Sequence, residues 1–210
     1  MPDKLLAEQA YDIIKAKIAT MENDAHLNLR SLSNEIGIGY TPVREALLRL
    51  EREEYLKQIP RVGFFVRKMT EIEVLHYYQA RECIEPFALR NAFDLINDSV
   101  IEKMKESFAI QENALKSYDF KTFLDADVAF HEIPFILLKN PHLHEFYKSL
   151  REKYRICSST NYEYDRYLEI IKEHRQLIIS IESGNQDESV TNLTRHLNES
   201  KTRIWKHIKM

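Results

Sequence analysis

The chain has 210 residues, 44% hydrophobic and 30% charged, with a formal net charge of −3. That length holds one large domain or two small ones, and so weak a charge excludes a polyanion binder that works through a bulk field. The two cysteines, Cys83 and Cys157, make no disulfide framework and suit a reducing cytosol. Asp3, Lys4, Glu8 and Asp12 interrupt any apolar signal core, and no apolar run is long enough to span a bilayer. A cytoplasmic protein with no membrane partner is expected. Four glycines and six prolines in the whole chain point to long helices.

Apolar residues Leu6, Ala10, Ile13, Ile14, Ile18 and Met21 recur at spacings of three and four, predicting a helix over 4–21 with one buried stripe. A polar loop over 22–28 follows. A short helix over 30–36 is stopped by Gly37. Thr41 reads as an N-cap with Pro42 at the first helical position, opening a helix that runs to about residue 54. Two strands, 56–59 and 64–67, flank Pro60-Arg61-Val62-Gly63 as a hairpin. From Thr70 onward the pattern is helical throughout. Helices are expected over 70–95, 99–117, 120–138, 141–158, 163–183 and 186–208, with caps at Thr70, Ser99 and Asp119 and a stop at Gly184. The fold class is therefore mainly α. A winged helix-turn-helix (residues 1–68) precedes an all-α antiparallel six-helix bundle (residues 69–210).

The winged unit carries 11 Lys/Arg against 10 Asp/Glu. Contact with DNA must then come from where individual arginines sit. Val43, Leu47 and Leu50 face inward on the third helix, while Thr41, Arg44 and Arg49 project outward. Arg44 lies near the N-terminal end, where recognition helices meet base edges, and arginine there can pair with guanine O6 and N7. Thr41 and the first-turn N–H groups suit a phosphate. Arg30 and Arg61 are placed for flanking backbone or minor groove.

The segment Ile38-Gly39-Tyr40-Thr41-Pro42-Val43-Arg44-Glu45-Ala46-Leu47, with Arg49-Leu50-Glu51 after it, resembles the signature of GntR-type bacterial transcription regulators. The wing Pro60-Arg61-Val62-Gly63-Phe64-Phe65-Val66 resembles theirs too. The resemblance implies that Arg30, Thr41, Arg44, Arg61 and Gly63 lie at the DNA face, and Tyr40 and the outward-facing Arg49 are expected to join them. Two features depart from the family: Gly39-Tyr40 replaces the usual Ser/Thr-Arg pair, which implies an altered operator or weaker binding, and no Pro-Gly precedes the second helix.

In the helical part Asp127 and His131 lie four apart, on one helical face, where both can meet one ion. His174 and His196 sit inside predicted helices beside apolar positions. On spacing alone the four make a weak site, and His142 and His144 read as loop or surface residues. Asp127-Val128-Ala129-Phe130-His131, then Glu173-His174, then His196, resembles the metal pattern of the FCD effector domain in its shorter, VanR-type form. The resemblance implies a divalent ion on Asp127, His131, His174 and His196. The donor set favours zinc first, with nickel, iron or manganese as alternatives, over calcium. Arg81-Glu82-Cys83-Ile84-Glu85 resembles the family's first effector helix, whose arginine points to the pocket. Arg81 is then either an effector carboxylate's partner or an ion-pair partner for Glu85 one turn on. The expected function is a homodimeric transcription regulator, with repression as the expected sign. It would bind a palindromic operator and respond to a small organic acid at the metal. The alternative is a metal-dependent hydrolase or lyase using the same site, with Glu132 or Glu173 as base.

Overall fold

The computed structural model describes residues 2–157 and 164–208. The predicted helix ends at Ser158 and Glu163 lie outside the described residues. The chain divides into two units: Met1–Thr70 together with Glu152–Ser159, and Glu71–Arg151 together with Thr160–Met210.

In the first unit, α1 (Pro2–Ile18) packs on α3 (Tyr40–Arg52). The row Ala10, Ile14, Ile18 is fully buried, joined by Tyr11, whereas Leu6 and Ile13 of the predicted stripe remain exposed. Between them α2 (Leu29–Ile36) is capped by Asn28, whose side chain accepts from the Ser31 N–H. It is closed by Gly37, which sits at φ 68°, where a side chain would be strained. Thr41 is not the cap of α3. The helix already begins at Tyr40, after Gly39, and no side chain caps it. The first helical bond there runs from the Val43 N–H to the Gly39 carbonyl. Pro42 thus occupies the first turn, where its missing N–H costs nothing.

The predicted 22–28 loop contains a strand, β1 (His26–Leu27), too short to show alternation in sequence. It pairs antiparallel with β3 (Gly63–Val66), which pairs antiparallel with β2 (Leu56–Ile59), giving the order β1-β3-β2. Gly63 has φ 144°, and a Cβ there would lie 2.5 Å from His26 Nε2 and 3.2 Å from the Leu27 carbonyl oxygen. A side chain there would be strained by the backbone angle and would push the His26 ring aside. Gly63→Ala is expected to destabilise the unit by about 1–3 kcal/mol. Thermal melting checks this, and an unchanged Tm would count against the constraint.

The second unit holds α4 (Glu71–Ala92, followed by a 3-10 turn Phe93–Leu95), α5 (Asp98–Lys116), α6 (Phe120–Leu138), most of α7 (Pro141–Cys157), α8 (Tyr164–Glu182) and α9 (Gln186–Ile208). Asn97, rather than Ser99, caps α5, its side chain accepting from the Val100 N–H; Ser99 falls in the first turn. Asp119 caps α6 through the Thr122 N–H. α5 packs on α6 and α8, and α9 packs on α4 and α8. Phe123, Phe130, Ile170, Leu177, Leu193 and Leu197 are central to the core. A smaller cluster of Ala88, Phe135 and Tyr147 seats the first part of α7 against α4 and α6. No helix among the described residues is long and apolar enough to cross a membrane.

Candidate metal centre and candidate nucleic-acid interface

Apolar packing of α6, α8 and α9 points one row of each helix inward, and the chemistry-bearing residues lie in those rows. Asp127 and His131 come from α6, His174 from α8 and His196 from α9; each is at most 7% exposed. His131 Nε2 lies 3.1 Å from His174 Nε2, which lies 3.4 Å from His196 Nε2. Asp127 Oδ1 is 3.7 Å from His131 Nε2 and 3.6 Å from His174 Nε2. One ligand nitrogen from each of the three histidines lies within 4.8 Å of the other two, near the roughly 3.3–3.4 Å that separates ligands about 2.0–2.1 Å from a tetrahedral zinc, and Asp127 stands beside two of them.

The three rings are turned by their other nitrogens. His131 Nδ1 donates to Glu85 Oε2 at 3.0 Å, His174 Nδ1 to Gln111 Oε1 at 2.7 Å, and His196 Nδ1 to Glu173 Oε2 at 2.8 Å. The Gln111 nitrogen faces the Ala126 carbonyl at 3.4 Å, which fixes the amide's sense. An oxygen acceptor at Nδ1 favours the tautomer that carries its proton there, and a neutral ring in that tautomer turns its Nε2 lone pair toward the other two. That arrangement is repulsive alone and favourable around a cation. Burial pushes His131 down to about 4, and burial, then the neighbouring His196 and His131, holds His174 well below the usual histidine value. Both rings are neutral near pH 7, so neither must lose a proton to ligate.

The carboxylates are held ionised. Burial alone would raise Asp127, but the Arg151 charge, then His131 and His174, overcome it and keep its carboxyl well below the ordinary range. Arg151 donates from Nη2 to Asp127 Oδ2 and from Nη1 to the Tyr77 hydroxyl at 2.8 Å. Glu85 is likewise lowered against burial, by Arg81 first and His131 next. Arg81 holds it through Nε at 2.5 Å and Nη2 at 3.2 Å. Of the two parts open to Arg81, then, the structure shows the pairing with Glu85; the residue is 3% exposed. Arg203 grips Glu173 with two bonds of 2.8 Å. Each histidine is thus oriented by a polar group that is itself fixed. Arg151, Gln111 and Arg203 carry no sequence signal for this part: they lie 24, 63 and 30 residues from the groups they hold.

His142 and His144 open α7, away from the cluster, and His144 Nε2 meets Glu132 Oε1 at 2.5 Å. Neither base named for the enzyme alternative is free. Glu132 is tied to His144, and Glu173 to His196 and Arg203.

On the first unit, Tyr40, Thr41 and Arg44 are exposed along one side of α3, while Pro42, Val43, Ala46, Leu47 and Leu50 are buried on the other. Tyr40 and Thr41 present first-turn N–H groups that α3 itself cannot satisfy. Arg30, Arg44 and Arg61 are exposed and have no hydrogen-bond or ion-pair partner among the described residues. Arg61 stands at the wing tip with φ 66°. Arg49 differs from these three. Its Nε donates to Glu53 at 3.0 Å, and its guanidinium lies 4.0 Å from the centre of the Tyr11 ring, clamping α3 to α1.

Comparison with known proteins gives this geometry a lineage. Residues 6–66 match the model for bacterial regulatory proteins of the gntR family, and residues 76–199 match the FCD domain. An uncharacterized HTH-type transcriptional regulator, YdhC of Bacillus subtilis, is 24% identical over 95% of this chain and 91% of its own length. The gluconate operon transcriptional repressor of the same organism is 20% identical over 88% and 78%. Among solved structures, E. coli McbR/YncC superposes with a TM-score of 0.78 at 18% identity, covering 97% and 98% of the two chains. The metal-free FCD domain of TM0439 superposes with 0.56 at 22% identity, covering 67% and 97%. Family and relatives are transcription regulators and not enzymes, so the hydrolase or lyase alternative is set aside. With an N-terminal gntR-type winged helix and an FCD bundle after it, the chain belongs to the GntR family of bacterial transcription regulators.

Proposed function

We propose that this regulator is a homodimeric repressor whose grip on a palindromic operator is set by a divalent ion and a small organic acid in its helical bundle. The observation that carries the reading is the convergence of the three buried histidines His131, His174 and His196, with the Asp127 carboxylate beside two of them. Asp127, His131, His174 and His196 would hold the ion, with zinc first and nickel, iron or manganese as alternatives. An ion that takes a fifth or sixth ligand beyond these four would supply a Lewis-acidic position for an acid's oxygen.

Charge around the centre favours an anion as its companion. Glu85, Asp127 and Glu173 balance Arg81, Arg151 and Arg203 before any ion enters. A divalent cation leaves two positive charges uncompensated in a buried place, and a carboxylate effector relieves them. Arg81 fixes Glu85 against His131 and, from that place, would be a charge partner for the acid. Repression is favoured by the relatives, which include gluconate operon repressors.

At the DNA, Arg44 would read a base edge in the major groove, with Tyr40 and Thr41 on phosphate and Arg30 and Arg61 flanking. Gly63 shapes the wing that carries Arg61. Two copies would address half-sites about 34 Å apart, one helical turn. Native mass spectrometry of the purified protein tests the proposal: a dimer carrying one divalent ion per chain is expected. A metal-free dimer that takes up no ion from zinc or nickel solution would contradict it.

A further inference from the structure

Among the described residues, helix α7 is the element with residues in both units, Arg151 falling in one and its neighbour Glu152 in the other. Within the bundle, Arg151 is 5% exposed and holds the second oxygen of Asp127, the carboxylate whose first oxygen lies 3.7 Å from His131 Nε2 and 3.6 Å from His174 Nε2. One residue further on, Glu152 accepts from Lys15 at 2.6 Å and from the Tyr55 hydroxyl at 3.1 Å, both in the winged unit. Lys153 then pairs with Glu54. Cys157 ends the helix against the same turn, its thiol 3.8 Å from the Glu54 carbonyl and its own carbonyl accepting from the Met69 N–H at 2.7 Å. Glu54 and Tyr55 are the turn that joins the recognition helix α3 to the wing strand β2, and Glu54 sits there at φ 62°.

We infer that α7 is the transmission element of the switch. The Asp127–Arg151 pair senses the charge at the metal centre, and the Glu152–Lys15–Tyr55 contact delivers the response to the turn between recognition helix and wing. The inference rests on Asp127 being an ion ligand. A cation facing Asp127 Oδ1 draws on the same carboxylate charge that holds Arg151, so the two compete. An α-helix is stiff along its axis because every interior peptide is hydrogen-bonded. A shift of the α7 backbone at Arg151 therefore carries Glu152, the next residue, with it. The route differs from one through α4 and the segment leading into it, because it ends on residues that frame both DNA-contacting parts of the winged unit.

The test compares hydrogen exchange of the full chain, stripped with chelator and then loaded with zinc alone, with loading confirmed by native mass spectrometry. In the parent chain, zinc is expected to change exchange in 152–157 and 53–56 as well as in α6, α8 and α9. Glu152→Ala and Lys15→Met remove the same bond from its two ends. Each should bind zinc within about twofold of the parent and keep the changes in α6, α8 and α9. Each should lose at least half of the change at 53–56. An effect confined to α6, α8 and α9 in the parent, or an undiminished change at 53–56 in both variants, overturns the route. Failure of the parent to take up zinc overturns the metal reading itself, and the mass measurement tells the two failures apart. Arg151→Gln is the less useful variant, since it leaves Asp127 buried without its partner and risks the fold.

Discussion

His174→Ala is expected to lower zinc affinity about a hundredfold or more, and to leave the purified protein nearly metal-free by mass spectrometry. His174 is the hub of the cluster: its Nε2 is the atom near His131, His196 and Asp127 alike. It is also fully buried, so no solvent ligand replaces it without rearrangement. Outer partners of metal-binding histidines alone typically cost 10–100-fold when removed, and a ligand costs more than its support. Gln111→Ala, which frees His174 Nδ1, should therefore fall lower on the same scale, at about tenfold. The truncated His174 side chain also leaves Gln111 without its donor, a loss of about 1–3 kcal/mol that a thermal melt of the metal-free protein reads. Unchanged metal content in His174→Ala would remove the ligand assignment.

Arg44→Ala should weaken specific operator binding by about 1–3 kcal/mol, or roughly 5- to 150-fold, while leaving the melting temperature near that of the parent. The reason is its freedom: it is exposed on α3 and committed to nothing among the described residues. Arg49→Ala should show the reverse pattern. Its guanidinium is already spent on Glu53 and the Tyr11 ring. Losing it should lower stability by about 0.5–1 kcal/mol and change operator affinity less. Fluorescence anisotropy with operator DNA beside thermal melts separates the two arginines. Equal effects of both variants on DNA would erase the distinction.

The sequence carried the elements and the donor set further than their surroundings. Helices over most of their length, the wing hairpin and the row Ala10, Ile14, Ile18 follow from periodicity and punctuation. Helix starts were less legible. Thr41 and Ser99 have the right chemistry for caps, but Gly39 and Asn97 hold those positions. The strand at His26 was invisible, since two residues cannot display alternation. At the metal centre, Asp127 and His131 share a local spacing, but His174 and His196 join them only through the packing of α8 and α9. The ambiguity of Arg81 could not be resolved from spacing, because an arginine four residues before a glutamate is compatible with either partner. The Arg81 and Glu85 side chains are both buried and paired with each other. Arg151 had no local signature at all. Its importance arises from α7 crossing the bundle beside Asp127.

The central claim is that the bundle's ion and acid govern DNA binding. Its most direct test is an operator titration with chelator-stripped protein, with zinc-loaded protein, and with zinc-loaded protein plus a panel of small carboxylates. The account predicts that affinity shifts by about tenfold or more between at least two of these states, and that the shift disappears in His174→Ala. One common affinity across all states, with the ion shown by mass spectrometry to be bound in the loaded ones, would contradict it.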